Sequence, residues 1–166
     1  MIMAIERTFV AIKPDGVQRA LVGEIIRRFE RVGLKIIGMK MVWVDKEFAY
    51  RHYTEDLAKR RGNHIRELMT EFLTTGPIVA MVLEGVHAIE NVRRIVGATE
   101  PKSAPPGTIR GDFSHVSFEH CNRENKVVMN VIHASANKED AKYEINLWFK
   151  PDELRSYKRV DEHHVM

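Results

Sequence analysis

A single cysteine, Cys121, occurs in the 166-residue sequence, so no internal disulfide can staple the fold. No apolar run approaches the roughly 18 residues that a bilayer-crossing helix needs. The opening from Met1 to Arg7 contains the acidic Glu6 and lacks the long apolar stretch of a secretory signal, leaving the cytoplasm as the expected compartment. Charge of one sign is scarce too. The 26 Lys and Arg residues against 23 Asp and Glu give a formal +3, which favours anionic partners without choosing among nucleotides, nucleic acid and acidic proteins. Walker loops, dinucleotide glycine motifs, Cys-rich zinc patterns and Gly-x-Ser-x-Gly elbows are missing, as are internal repeats, linkers and low-complexity tracts. With 44% hydrophobic residues, what remains is one globular domain spanning 1–166 and burying its own core.

Periodicity supplies the elements. Glu6 to Ile12 alternates, with Phe9 and Ala11 on one face and Val10 and Ile12 on the other, and Pro14 closes this first strand after Lys13. Helical spacing runs from Arg19 to Val32 before Gly33. Leu34 to Val44 reads as a second strand with Ile37, Met39, Met41 and Trp43 on its apolar side. Two helices, Asp45 to Leu57 and Asn63 to Leu73, flank the basic Lys59-Arg60-Arg61-Gly62; Ile78 to Leu83 is a third strand, and Val86 to Val96 a helix stopped by Gly97. A long loop then leads to Phe113, and a polar, unpatterned stretch covers Ser114 to Asn125. Lys126 to Ile132 reads as a fourth strand and Asn137 to Phe149 as the last helix. The order β-α-β-α-α-β-α-β-α predicts an α+β sandwich of the ferredoxin-like type, a four-stranded antiparallel sheet covered by helices.

Chemistry concentrates near the end. His133 closes an apolar strand just before a helix start, where neutral imidazole is nucleophilic and free backbone amides favour phosphate; a hydrogen-bonded core histidine is the bland alternative. In the following helix, Ala141, Ile145, Trp148 and Phe149 form the buried arc, and at about 100° per residue Glu144 falls inside it. A carboxylate there needs a partner, either a histidine ring N–H or a basic side chain. By the same geometry Arg93 borders the apolar arc of its helix while Arg94 points to solvent. Arg110 sits between Gly107 and Gly111, where backbone can approach an anion and a guanidinium can bind two phosphate oxygens. Lys13 can reach off the end of the first strand toward the same rim.

Three segments, Arg7-Thr8-Phe9-Val10-Ala11-Ile12-Lys13-Pro14-Asp15-Gly16-Val17, Pro106-Gly107-Thr108-Ile109-Arg110-Gly111-Asp112-Phe113 and Asn130-Val131-Ile132-His133-Ala134-Ser135, resemble the nucleoside diphosphate kinases, and Leu147-Trp148-Phe149-Lys150-Pro151 extends the match. The resemblance runs in order from about Glu6 to Tyr157. It implies a homo-oligomer, commonly a hexamer, working on ATP and other nucleoside di- and triphosphates, with Mg²⁺ carried in by the nucleotide and neither membrane nor nucleic acid required. It makes His133 the phosphate acceptor through Nδ1, with Glu144 on the other ring nitrogen and Ser135 beside the phosphohistidine. Lys13, Tyr53, Arg93, Thr99 and Arg110 match phosphate-binding side chains, and Asn130 with Lys13 the sugar contacts. The implied cycle is ping-pong: a triphosphate phosphorylates His133, its diphosphate leaves, and another diphosphate collects the phosphate.

Three departures stand out. Ala136 replaces an acidic residue usual after the nucleophile, leaving Asn137 to cap the helix. The 114–125 segment is longer than the resemblance implies, and its His115, His120 and Cys121 lack the spaced pairs of a metal site. The family's aromatic base clamp is missing: Ile65 falls nearest its position, with His64 as the only neighbouring ring. Competing readings are an RNA-binding ferredoxin-like module, which the absence of an aromatic strand signature disfavours, and an inactive family scaffold, which intact His133, Glu144, Lys13 and Arg110 disfavour.

Overall fold

The computed structural model describes residues 5–166, so the opening stretch lies partly outside it. Strand β1 (Ile5–Ile12) is central in a sheet of order β2-β3-β1-β4 whose pairings are all antiparallel. Its alternation is the one expected, with Phe9, Val10, Ala11 and Ile12 all at most 1% exposed. Lys13 leads into α1 (Pro14–Gln18), a turn with proline at its start. Helix α2 (Val22–Arg31) begins later than periodicity suggests because Ala20 turns the chain at φ 57, and Gly33 at φ 87 ends it.

Strand β2 (Lys35–Val42) is an edge, and here the expected facing fails: Met39, Met41 and Trp43 are 54%, 61% and 67% exposed. A bulge between Ile36 and Gly38 inserts one residue opposite Leu83 and Val82, so Ile37 is buried but the residues beyond it change side. The next helical stretch breaks at Tyr53-Thr54 into α3 (Lys46–His52), capped by Asp45, and α4 (Glu55–Arg61); α5 (Asn63–Leu73) follows Gly62. The basic Lys59-Arg60-Arg61 run is therefore helical. Strand β3 (Ile78–Val86) leads to α6 (Ala88–Val96), stopped at Gly97 with φ 88.

The long loop ends in α7 (Ile109–Phe113), and the polar stretch contains α8 (Phe118–Arg123). Strand β4 is Ile132–Ala134, three residues rather than the expected Lys126 to Ile132. Val127 and Val128 are apolar because they wall a cleft, not because they lie in the sheet. Helices α9 (Lys138–Trp148) and α10 (Glu162–Val165) complete the chain. On one face Ile25 and Phe29 of α2 and Val92 and Val96 of α6 cover Val10 and Ile12; on the other, Ala49, Leu73 and Trp148 cover Phe9 and Ala11. The result is a ferredoxin-like α+β sandwich. None of the helices among the described residues is long and apolar enough to cross a membrane.

Asn137 takes over the cap at α9: its Oδ1 accepts the Asp140 N–H at 2.8 Å. Replacement by alanine leaves that amide unpaired. Asn137→Ala should cost about 1 kcal/mol, read as a Tm lower by a few degrees in thermal unfolding. An unchanged Tm would show that the cap contributes nothing to α9.

Candidate active site

The chain enters β4 through a strained turn. The Ile132 N–H donates to the Asn130 carbonyl at 2.8 Å, closing a three-residue turn that holds Val131 at φ 74, a conformation rare for a β-branched residue. Two contacts from the β1–α1 junction fix it. Asp15 Oδ2 accepts the Val131 N–H at 3.0 Å, and the Val131 carbonyl accepts the Lys13 N–H at 2.9 Å. Gly16 makes the approach possible, since a Cβ there would lie 2.7 Å from Ile12 Cγ2 and 2.9 Å from the Val131 oxygen.

Past the turn, His133 pairs with Ala11 of β1, and its side chain borders a cleft of about 1250 Å³. His133 Nε2 lies 2.7 Å from Glu144 Oε1, and Glu144 Oε2 accepts the Ser135 hydroxyl at 2.5 Å. Glu144 is buried in the arc of α9 that periodicity assigned it. A carboxylate accepts, so Nε2 carries the proton and Nδ1 keeps the ring's free lone pair. Ser135 corrects the expected layout: it is fully buried behind Glu144 rather than on the cleft wall, and its Oγ also accepts the Phe9 N–H at 3.3 Å. Ser135 follows the last residue of β4, on the same side as His133, and its hydroxyl is drawn inward onto Glu144 and the Phe9 backbone.

Cations gather opposite His133. Lys13, 5% exposed, donates from Nζ to Asn130 Oδ1 at 2.8 Å, while Asn130 Nδ2 donates to the Thr99 carbonyl at 2.8 Å. Burial, then the nearby Arg110 guanidinium, lowers the Lys13 pKa from 10.5 to about 8. Arg110 is itself buried and donates to three carbonyls, those of Asn130, Gly97 and Ile132, at 3.3, 3.1 and 2.7 Å. Burial, then Arg93, lowers its pKa from 12.5 to about 10. Tyr53 is buried with an unpartnered hydroxyl, and burial followed by the Glu144 charge pushes its pKa up. Arg93, Thr99 and Ile65 also line the cleft; Arg94 lies outside it and donates to Asn91 Oδ1 at 3.1 Å. His64 lines the cleft as well, its Nε2 lying 2.5 Å from Asn125 Oδ1 on the facing wall.

Several contributors escaped the sequence reading. His52, in α3, borders the cleft with its ring 4.6 Å from that of His133 and nearly perpendicular at 83°. Trp148 Nε1–H donates to His52 Nδ1 at 3.2 Å, so the His52 proton sits on Nε2, which has no partner. Burial, then His133, holds its pKa well below the usual value, keeping it neutral. Its spacing of three from buried Ala49 is the signal that could have found it. Phe118 and Arg61 line the cleft as well, but no periodicity marks Phe118. Ligating atoms of His52, His133 and Glu144 lie within 4.8 Å of one another, whereas His115, His120 and Cys121 form no such group among the described residues.

Known proteins share this architecture. The family described as nucleoside diphosphate kinase matches residues 6–154. A nucleoside diphosphate kinase of Borreliella burgdorferi is 48% identical over 161 residues, 96% of each chain. One from Pyrococcus horikoshii is 53% identical over 156 residues, 93% of this chain and 92% of its own. A solved Borrelia burgdorferi enzyme, a transition-state mimic with bound vanadate and ADP, superposes with TM-score 0.95 at 47% identity, covering 98% of this chain and 97% of that one. A nucleoside diphosphate kinase from Pyrobaculum aerophilum gives TM-score 0.86 at 38% identity, covering 92% of this chain and all of its own. A histidine, its carboxylate and buried cations on one cleft, in a fold matched almost end to end, mean that the chain belongs to the nucleoside diphosphate kinase family.

Proposed function

We propose that this phosphotransferase passes the γ-phosphate of a nucleoside triphosphate, typically ATP, to nucleoside diphosphates through His133. One observation carries the assignment: His133 Nε2 is tied to Glu144 Oε1 at 2.7 Å, leaving Nδ1 as the nucleophilic nitrogen on a cleft lined by Lys13, Arg93 and Arg110. The Nδ1 lone pair attacks the γ-phosphorus, the bond to the bridging oxygen breaks, and the diphosphate leaves with the bonding electrons. The ring keeps its Nε2–H, and the Glu144 carboxylate offsets the positive charge that develops as the N–P bond forms. Ser135 positions Glu144. Lys13, Arg93, Arg110, Thr99 and the free Tyr53 hydroxyl receive the phosphate oxygens, with Asn130 and Lys13 on the sugar and Ile65 on the base side. His52, a neutral donor packed on the His133 ring, completes the setting. The vanadate and ADP held by the solved relative suit the same reading.

A divalent cation belongs with the nucleotide rather than with a protein cage. Glu144 is occupied by His133 and Ser135, and Asp15 is tied to the Val131 amide, so the inner cleft presents cations and an imidazole rather than free carboxylates. Mg²⁺ carried in with the nucleotide would supply positive charge that offsets the charge of the phosphates during transfer. A cytoplasmic homo-oligomer, commonly a hexamer in this family, is part of the same proposal.

The deciding experiment mixes purified protein with γ-labelled ATP. Acid-labile, base-stable label should appear on the wild type and be absent from folded His133→Ala; label retained by that variant would remove His133 from the chemistry.

Arg93 and Arg94 give an internal comparison within α6. Arg93→Ala should lower kcat/KM about 100-fold or more, the scale of a lost transition-state charge contact, and Arg94→Ala by less than about twofold. Equal effects would contradict the assignment of Arg93 to the phosphate.

Lys13 links pH to both binding and stability. Because its pKa is about 8 in the folded protein, kcat/KM should fall as pH rises through that value, and Lys13→Met should abolish this step. The stability sign is opposite: the unfolded chain binds the proton up to 10.5, so the buried charge destabilises the fold below about pH 8, and this penalty is relieved between 8 and 10.5. Lys13→Met should therefore have a higher Tm at neutral pH. A flat kcat/KM profile in the wild type, or a lower Tm in the variant, would count against this account.

A further inference from the structure

The cleft has two chemically different ends. The phosphate end is polar and cationic around His133. The other end lies where α4 and α5 face the 114–125 segment, and there the wall is Arg61, Ile65, Phe118, Val127 and Val128. Among these Phe118 presents the aromatic face. It begins α8 in a polar stretch, yet it is half-buried, with the Arg61 guanidinium carbon 4.6 Å from its ring centroid. A second contact, His64 Nε2 to Asn125 Oδ1 at 2.5 Å, joins the same two walls. The 114–125 segment therefore closes the end of the cleft away from the phosphate chemistry, and it does so with a flat π surface.

Resting on the nucleotide reading above, we propose that Phe118 is the stacking platform for the nucleobase, and that an entering base displaces the Arg61 guanidinium from its ring. An arginine on a half-buried aromatic at a cleft mouth is a weak, exchangeable contact, whereas a base offers a wider π face to the same ring. The gap requires such an exchange. A base sandwiched between ring and guanidinium needs two stacking distances of about 3.5 Å, near 7 Å in all, more than the 4.6 Å now separating them. Arg61 is not lost when it moves, because its charge already reaches Lys13, where it helps lower the lysine pKa. It can turn from the ring toward the phosphates. Ile65, on the opposing wall, supplies an apolar side to the slot but no flat face. Stacking reads no base edges, so purines and pyrimidines both fit.

Titration of the full chain with ADP and with inorganic tripolyphosphate, which carries comparable charge but no base, separates the two ends. Phe118→Ala should raise the ADP Kd about tenfold, equivalent to roughly 1.4 kcal/mol, while changing the tripolyphosphate Kd by less than about twofold. Phe118→Leu, which keeps an apolar side chain for α8 to pack on, should weaken ADP similarly; Phe118→Trp should match or tighten it. Glu119→Ala, on the solvent side of the same helix, serves as the control. Unchanged ADP affinity in Phe118→Ala, wild-type affinity in Phe118→Leu, or equal losses for both ligands would overturn the proposal. A wild type that binds tripolyphosphate and transfers phosphate but gains nothing from the base would also overturn it, with the kinase reading intact. A wild type that binds neither ligand would refute the nucleotide reading itself.

Discussion

The left-handed turn at Val131 is the constraint on which the phosphate end of the cleft depends. A valine at φ 74 is unfavourable by itself, on the order of 1–3 kcal/mol, and persists because its neighbours over-determine it. Its N–H is held by the Asp15 carboxylate and its carbonyl by the Lys13 amide, through a junction that only glycine at position 16 can bring close enough. Everything near His133 is referenced to that turn. Asn130, just before it, meets Lys13 and the Thr99 carbonyl, while the Asn130 and Ile132 carbonyls clasp the Arg110 guanidinium. His133 follows immediately, in register with Ala11. The chain thus fixes the nucleophile and two buried cations to one short strand without relying on long, flexible connections.

Such a concentration of charge opposes folding. Lys13 and Arg110 are both nearly buried; Arg110 lowers the proton affinity of Lys13, Arg93 lowers that of Arg110, and both find backbone carbonyls or an amide rather than carboxylates as hydrogen-bond partners. A carboxylate partner would stabilise the empty protein, yet it would also compete with a phosphate for the same donors. Leaving the cations paired with neutral dipoles keeps them oriented and electrostatically unsatisfied. On the function proposed above, an incoming polyphosphate relieves a repulsion the fold has already assembled, which is differential stabilisation without reorganisation. Glu144 is the exception that fits the rule: its charge is directed to His133 and Ser135, where positive charge appears only during transfer.

What the sequence made legible follows from how local each signal is. The helix faces of Glu144 and Arg93, both on the cleft side, were legible because helical periodicity is local and fixes the face of a side chain; the β1 alternation was readable for the same reason. The facing of Met39, Met41 and Trp43 was misread because one extra residue at Ile37 reverses a period-2 pattern, and nothing in the residues themselves marks a bulge. The fourth strand was overextended because Val127 and Val128 are apolar for the sake of a cleft wall. His52 and Phe118 depend on contacts across roughly a hundred residues or between separate segments, as in His52 with Trp148 and Phe118 with Arg61. Periodicity carries no information at that range. The motif around Lys13 to Gly16 was recognisable as a resemblance, but its physical purpose, bracing Val131, needed coordinates.

The two ends of the cleft are built on different principles, and this bears on how one site serves both half-reactions. At the phosphate end the groups hang from a central strand and a braced turn, so their positions do not depend on which nucleotide is present. At the outer end the walls meet through one cation–π contact, between the short helices α4 and α8, and one side-chain hydrogen bond, between α5 and the turn after α8. Contacts of that kind open at little cost. A ping-pong cycle needs this division: one diphosphate must leave and another enter while His133 carries the phosphate, so the base side must release readily and the phosphoryl side must not shift. Rigidity where bonds change and exchangeability where ligands differ let the chemistry stay constant while the nucleoside varies.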